Sequence, residues 1–447
     1  MYIAIASITS SCGIYRKYPK QTKVGNDLFG KEYVSTDSSS VADLSWKQMF
    51  TDPYLQVLID SALVKNTDLN IAFLRTQQTE AALMNAKLSY LPSLELVGNK
   101  NWNKMNGTRI STYNIGGQTA WEVDIFGKLT NAKRGARESL EASIAYKQAV
   151  KAKVISTVAF GYYTLLMLDK QLTIGRETLI NWNKTIHTLE VLKRNSNYVT
   201  DAAVLQAKAN RISLEGSLLS IEKNIKETEN MLCTVLAIPP VSIERGDLEE
   251  QSFPKELSVG MPVQILSNRP DVCMAEHRLA QAFYATNAAR AAFYPSINLS
   301  GSTGWTNDGG GVVLDPAGWL LNAVSSLVQP LFCRSSLVAN LKVAKAEQEA
   351  AKLEFKQSLL NAGTEVNNAM KALQTARKKL ISDATQVKIL KETIRKTELL
   401  MHHSSTTYLE VLTAQQSLLE ARQAWTESKL DEIKSIITLY HALGGGK

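Results

Sequence analysis

Nowhere does the chain reach the roughly 18 consecutive apolar residues that a spanning helix needs, and its mean hydropathy of −0.13 is too polar for a multi-helix membrane protein. If it crosses a bilayer, it does so with strands. Cysteine is scarce. Cys12, Cys233, Cys273 and Cys333 lie far apart with no C-x-x-C pair, so a disulfide framework is not expected, and Cys233 reads as a small buried residue on a helix. The five histidines form no H-E-x-x-H, and neither G-x-G-x-x-G nor G-x-x-x-x-G-K-[ST] occurs. No enzyme activity, catalytic residue, cofactor or metal site is therefore expected. His402-His403 could hold a metal, but solvated turn residues are the plainer reading. The net charge of +8 is spread over 50 basic and 42 acidic residues. The densest basic run, Arg377-Lys378-Lys379, falls in a helical pattern and reads as a solvated face, so no nucleic-acid partner is expected.

What the chain does have is a repeat. Asp68 through Gly98 matches Asp271 through Gly301 without gaps, with ten identities in 31 positions, among them Arg75/Arg278, Pro92/Pro295, Ser93/Ser296 and Gly98/Gly301. Leu129–Ser143 matches Leu337–Ala351 at offset 208, and Val204–Ala207 matches Val411–Ala414 at offset 207. Self-similarity on this scale means a duplicated structural unit. Each copy runs helix, Pro-Ser junction, alternating stretch, long helix, turn and returning helix.

The alternating stretches are residues 93–103, 112–124, 296–306 and 318–330. Tyr113, Ile115, Trp121, Ile297, Leu299 and Trp305 fall on one parity, and Asn114, Gln118, Glu122, Asn298 and Ser300 on the other. Strands of about ten residues with aromatics near an end carry the signature of outer-membrane barrels; a soluble sandwich also alternates. The first six residues are expected to face lipid. Asn103–Ser111 and Thr306–Asp315 read as hairpin loops. One helix is expected from Trp46 towards Val64 and another from Asp68 to Lys87. From Lys128 to about Asn195 no proline occurs and apolar residues recur every three or four positions, and the same holds from Arg334 to about His402. Such helices would be roughly 100 Å long.

Four strands cannot close a barrel, and an open sheet edge is intolerable in lipid because its N–H and C=O groups find no partner. Three protomers would supply twelve strands around an open lumen, whereas two would give eight and a filled interior. A homotrimeric conduit is the expectation. At the amino end an apolar run turns small and polar before Cys12, like a lipoprotein signal, although Thr9 replaces the usual aliphatic residue and no positive n-region precedes it. Residues 1–11 are expected to be the signal, Cys12 the lipidated residue, and 12–45 a tether. The alternative is an unprocessed apolar end. The first repeat then spans 46–237, a proline-rich connector 238–262, the second repeat 263–443, and a glycine-rich tail 444–447.

Four motifs in order carry a resemblance. They are Trp121-Glu122-Val123-Asp124-Ile125-Phe126-Gly127-Lys128, Asn268-Arg269-Pro270-Asp271-Val272, Phe293-Tyr294-Pro295-Ser296-Ile297-Asn298-Leu299, and Tyr408-Leu409-Glu410-Val411-Leu412-Thr413-Ala414-Gln415. With them the chain resembles the TolC-like outer-membrane efflux proteins, in the lipoprotein branch serving resistance–nodulation–division (RND) pumps. The resemblance implies a mainly helical fold with a β membrane part. Long-helix hairpins form a trimeric periplasmic α-barrel, and four strands per protomer complete a twelve-stranded β-barrel in outer-membrane lipid. It implies a periplasmic adaptor and an inner-membrane RND pump as partners, and passage of small molecules. It also implies acidic residues ringing the periplasmic gate. Glu410 fills one such position, Thr413 stands at the second, and Asp201 lies two residues before the matching Ala203; solvation of a helix start is the plainer role for Glu410. A type I protein secretion duct would use the same fold, and a structural or adhesive coiled-coil protein would lack transport altogether.

Overall fold

The computed structural model describes residues 15–20, 28, 40–105, 108–195, 199–254, 268–306, 319–330, 335–402 and 408–446. Cys12, the signal segment and most of the tether lie outside these residues, as do Cys333, His403 and most of Thr306–Asp315. The described helices are α1 (Trp46–Met49), α2 (Pro53–Lys65), α3 (Thr67–Leu88), α4 (Lys128–Asn195), α5 (Asp201–Val235), α6 (Pro270–Ala291), α7 (Ser336–His402) and α8 (Tyr408–Ala442). The strands are β1 (Ser93–Met105), β2 (Thr108–Val123), β3 (Ser296–Thr306) and β4 (Trp319–Val328). None of the described helices is long and apolar enough to cross a membrane.

Two local expectations need correction. The helix expected from Trp46 towards Val64 is broken at Phe50–Asp52 into α1 and α2. Proline disfavours helical geometry in the residue before it and is well placed at a first helical position. Asp52 therefore becomes a cap, accepting the Tyr54 N–H at 2.9 Å, with Pro53 behind it. Asn103–Ser111, expected as a loop, is mostly strand, with Met105 paired to Thr108. Polar residues such as Asn101, Asn103, Lys104 and Arg109 occupy both parities here, so alternation fades while pairing continues.

One compact unit comprises Met1–Gln21, Leu74–Tyr146 and Asp271–Ser358. It holds a single antiparallel sheet in the order β1-β2-β3-β4. The first motif is the junction between β2 and α4. Asp124 accepts the Leu129 and Thr130 N–H groups at 2.9 and 2.8 Å, satisfying donors that a helix start leaves orphaned. Gly127 turns the chain at φ +73°, Lys128 pairs with Glu122 at 2.9 Å, and Phe126 stacks on Tyr294 with centroids 4.9 Å apart. Residues 15–20 are docked on this unit: Arg134 donates to the Tyr15 carbonyl at 3.0 Å, and the Tyr18 N–H donates to the Tyr284 hydroxyl at 3.1 Å. Burial, with Glu276 and Glu138 nearby, pushes the Tyr18 hydroxyl up to about 12.

The second unit comprises Thr22–Phe73, Lys147–Pro270 and Leu359–Lys447. Its core is helix against helix: Leu168, Ile174 and Trp182 of α4 pack with Leu214, Leu218 and Ile221 of α5 and Leu419 of α8. Cys233 is buried in α5. The Asn-Arg-Pro-Asp motif fastens the start of α6 to the end of the chain. Arg269, 4% exposed, donates to the Ala442 carbonyl at 2.9 Å and pairs with Glu365 at 2.7 Å. Leu443–Gly446 are themselves buried, and the Gly446 N–H donates to the Tyr440 hydroxyl at 2.9 Å.

The connector is held by charge. Arg245 reaches Asp169 of α4 at 3.0 Å and Glu229 of α5 at 2.7 Å, and Ser242 donates to the same Glu229 carboxylate at 3.1 Å. Burial alone would raise Glu229, but donation from Arg245, the Ile243 N–H, Ser242 and Lys226 outweighs it and holds the group below the usual 4.5. A depressed carboxylate contributes stability above its unfolded pKa and loses it as pH falls through the folded value. Glu229→Gln should therefore lower stability at pH 7 by on the order of 3 kcal/mol, as removal of one partner of a buried ion pair does. Melting curves at pH 7 and pH 3 check this: the gap between parent and variant should narrow in acid.

Candidate functional site

Residues directly opposed in an antiparallel pair share a face, so the register sorts every strand residue. Leu94 opposes Thr119, Ile115 opposes Trp305, Trp121 opposes Leu299, Val123 opposes Ile297, Ile297 opposes Leu327 and Thr303 opposes Leu321. Tyr113, opposite Lys100, joins them. The other face pairs Asn99 with Asn114, Gln118 with Ser302, Glu122 with Asn298, and Asn298 with Ser326. One face is thus mainly apolar across the four strands and the other mainly polar, although Val97, Val324 and Val328 fall on the second and Lys100 and Ser325 on the first. Leu94 and Leu96 are 83% and 86% exposed, and Leu321 is 78% exposed, more than any of the six residues expected to face lipid. Large apolar side chains this bare need a covering medium.

Near the end of the β2–β3 ladder far from the helices, two pairs in from Asn114–Thr306, Gly116 opposes Gly304 on the polar face. A Cβ on Gly116 would meet the Thr303 carbonyl oxygen at 2.3 Å, and one on Gly304 would meet the Ile115 carbonyl oxygen at 2.4 Å. The sheet therefore closes towards its polar side here, at a pair where only glycine fits. Trp121, near the helical end, donates its indole N–H to the Tyr90 carbonyl at 2.9 Å. Ser296, the first residue of β3, and Trp305 are nine residues apart, about 30 Å of strand, or ~23 Å vertically at a 40° tilt, close to the apolar band of such barrels. β1 pairs only with β2 and β4 only with β3 among the described residues, so both outer edges are open.

The second site lies where the long helices turn. Ile186 and Leu189 of α4, Val199, Ala203, Val204 and Ala207, and Leu412 of α8 form one buried cluster with Tyr408 packed against it. The ends of the two hairpins are therefore joined within the protomer. Glu410 stands exposed in the first turn of α8, where a carboxylate suits the positive end of the helix dipole. Asp201 is exposed at the start of α5, and Lys193 of α4 forms a salt bridge with it. The Thr413 hydroxyl donates to the Leu409 carbonyl at 2.8 Å, and Ala203 is buried. Lys193, the Arg245 network and the Gly116–Gly304 pair had no signal in spacing or periodicity; only the fold brings their partners together.

A sheet of this kind is one segment of a closed barrel wall in a membrane, carried on helices too polar to span it. The residue pattern residing in that wall and in the helix tips has counterparts in known proteins. The description "Outer membrane efflux protein" matches residues 58–232 and 261–445, and the chain belongs to this family. It is 29% identical over 410 residues to the cation efflux system protein CusC of Escherichia coli O6:H1, covering 90% of this chain and 88% of that one. It is 28% identical over 461 residues to the toluene efflux pump outer membrane protein TtgC of Pseudomonas putida, covering 99% and 94%. Its fold matches the open state of the Neisseria gonorrhoeae MtrE outer membrane channel with a TM-score of 0.87 and 27% identity, covering 96% and 98%. The protein is an outer-membrane efflux channel and not an enzyme.

The sheet's two faces should respond oppositely to charge. Leu299→Arg should cost about 2–4 kcal/mol if it lies near the bilayer midplane, while Asn298→Arg should be tolerated. Yield of folded protein in outer-membrane fractions, with cysteine labelling at both positions, reads the difference; equal tolerance would reject this assignment of faces.

Proposed function

We propose that three copies of this chain assemble into a twelve-stranded β-barrel continued by a helical barrel, and that the assembly is the exit duct of a tripartite RND-type efflux system. A periplasmic adaptor and an inner-membrane pump deliver small-molecule cargo to it. The observation that carries this reading is the sheet, mainly apolar on one face, mainly polar on the other and, among the described residues, unpaired at both edges. In lipid such edges must be met by other copies. Tyr113, Ile115, Trp121, Ile297, Leu299 and Trp305 face lipid, and the polar parity lines water. The relatives named for cation and toluene efflux favour small cargo over a protein-secretion duct. A structural or adhesive coiled coil has no use for such a sheet.

At the periplasmic entrance, threefold symmetry sets three Glu410 carboxylates around one axis, where they attract cations and repel one another. Asp201 contributes less, because Lys193 already neutralises it within the protomer. Purified trimers in planar bilayers test both claims. The parent should conduct and prefer cations, and Glu410→Gln should reduce that preference and its divalent block with conductance retained. Absence of conductance from intact trimers would refute the duct; unchanged selectivity in the variant would leave Glu410 an ordinary surface residue.

Cys12 is the lipid-anchored first residue of the mature chain, on the apolar-to-small transition before it. Mass spectrometry of the mature amino terminus should find acyl chains on Cys12. An intact Met1, or an unacylated end elsewhere, would remove the anchor.

A further inference from the structure

The helices carry an unbalanced charge where they meet the sheet. Over the last ten residues of α3 and α6 and the first ten of α4 and α7, eight residues are basic and one, Glu80, is acidic. The duplication keeps basic residues at equivalent places, Lys87 with Arg290 at offset 203 and Arg137 with Lys345 at offset 208. All four are exposed, as are Lys133 and Lys342. Carboxylates close by are engaged elsewhere. Glu122 pairs with Lys128, Glu138 lies 2.7 Å from a ring nitrogen of His277, and Asp124 caps α4. Glu141 is one turn further from the sheet than Arg137. Among the described residues none of the six exposed cations has a salt bridge.

This charge is continuous with the apolar face of the sheet. Trp121, which opposes Leu299 on that face and is 39% exposed, donates its indole N–H to the Tyr90 carbonyl at 2.9 Å. The Tyr90 hydroxyl donates to Thr130 at 3.0 Å, and the Lys133 ammonium stands over the Tyr90 ring, 5.3 Å from its centroid. Thr130, Lys133 and Arg137 share one face of α4. Thr76 and Ser143 meet at 3.3 Å further along, so α3 and α4 are antiparallel and Lys87 comes level with Lys133. At 1.5 Å per residue Lys133 and Arg137 lie about 5 and 10 Å beyond Thr130. A headgroup layer is ~5–8 Å deep on each side of a bilayer, and long basic side chains reach towards it. We propose that these residues form a basic collar that holds the phosphates of anionic phospholipids in the inner leaflet of the outer membrane. The collar rests on the reading of the sheet as membrane-spanning, with the helices on its periplasmic side. Aromatic side chains at the edge of the apolar face fix the depth, and the cations beyond them supply a charge that a zwitterionic headgroup matches less well.

Native mass spectrometry of intact trimers in an uncharged detergent, titrated with phosphatidylglycerol or with phosphatidylcholine of the same acyl chains, tests the collar. Phosphatidylglycerol should bind at least about tenfold more tightly. Lys133→Gln and Arg137→Gln should each cut that preference about fivefold, the ratio one basic residue contributes at an anionic surface. Should Lys133→Gln fail to form trimers, Arg137→Gln decides the matter. Lys378, 33 residues beyond Lys345 on α7, is the control, and Lys378→Gln should leave the preference unchanged. Glycerol 3-phosphate, a headgroup without acyl chains, should not displace bound lipid. Equal binding of the two lipids by the parent, unchanged preference in both variants, the same loss in Lys378→Gln, or displacement by glycerol 3-phosphate would overturn the collar. Conductance of the same trimers in uncharged planar bilayers keeps the two readings apart: conducting trimers without a lipid preference would overturn the collar and leave the duct standing.

Discussion

Backbone hydrogen bonding governs this architecture. Among the described residues each protomer presents four strands paired to one another in three ladders, with the two outer edges open. In water such edges are an aggregation hazard. In hydrocarbon they are untenable, because every orphaned N–H and C=O costs several kcal/mol and no solvent relieves it. The open edges therefore make assembly a condition of membrane residence and not an addition to it. The same constraint explains why the sheet can leave its largest leucines bare. On the proposed reading their cover is lipid, and lipid is reachable only once the edges are closed.

The long helices answer a different demand. They are too polar to span a bilayer, and their stability comes from side chains packed along their length. In the helical unit, Ile174, Trp182, Leu214 and Leu218 form part of that packing. Buried charge helps set the register of the connector around Arg245, which has carboxylates on two different helices within reach; displacing it would strand an ion. Hydrophobic burial gives the bundle cohesion, and the ion network gives it alignment.

Much of this was legible in the sequence, for reasons that can be named. Strand parity is a period-two signal that survives wherever one face is apolar, so Ile115, Trp121, Leu299 and Trp305 could be sorted before any fold was known. The signal fails at the hairpin end of β1 and β2, where polar residues such as Asn101, Asn103, Lys104 and Arg109 fall on both parities and the strands run on undetected. The long helices were readable from periodicity and missing proline, whereas the break at Phe50–Asp52 depended on a single Pro53. The gate candidates could be nominated only through the repeat, and the pairing of Asp201 with Lys193 on the preceding helix could not. Long-range pairs such as Arg245 with Glu229, or Gly116 with Gly304, leave no periodic trace.

The duplication itself has diverged where geometry and charge make different demands on its two copies. Gly127 and Ser335 stand at equivalent positions, offset by 208, and both adopt a left-handed backbone, with φ of +73° and +61°. The second copy keeps the conformation although serine bears its steric cost, so the turn from sheet to helix is dictated by the junction and not by the residue. At the helix tips the divergence runs the other way. Ala203 is buried in the cluster that joins the hairpins, while its counterpart Glu410 is exposed on the first turn of α8. A carboxylate at position 203 would need burying, which is expensive without a partner. The first tip thus secures packing, and the second is free to carry charge. A strictly symmetric chain could not combine the two at one end, and this division of labour is a physical reason for a duplicated protomer to become unequal.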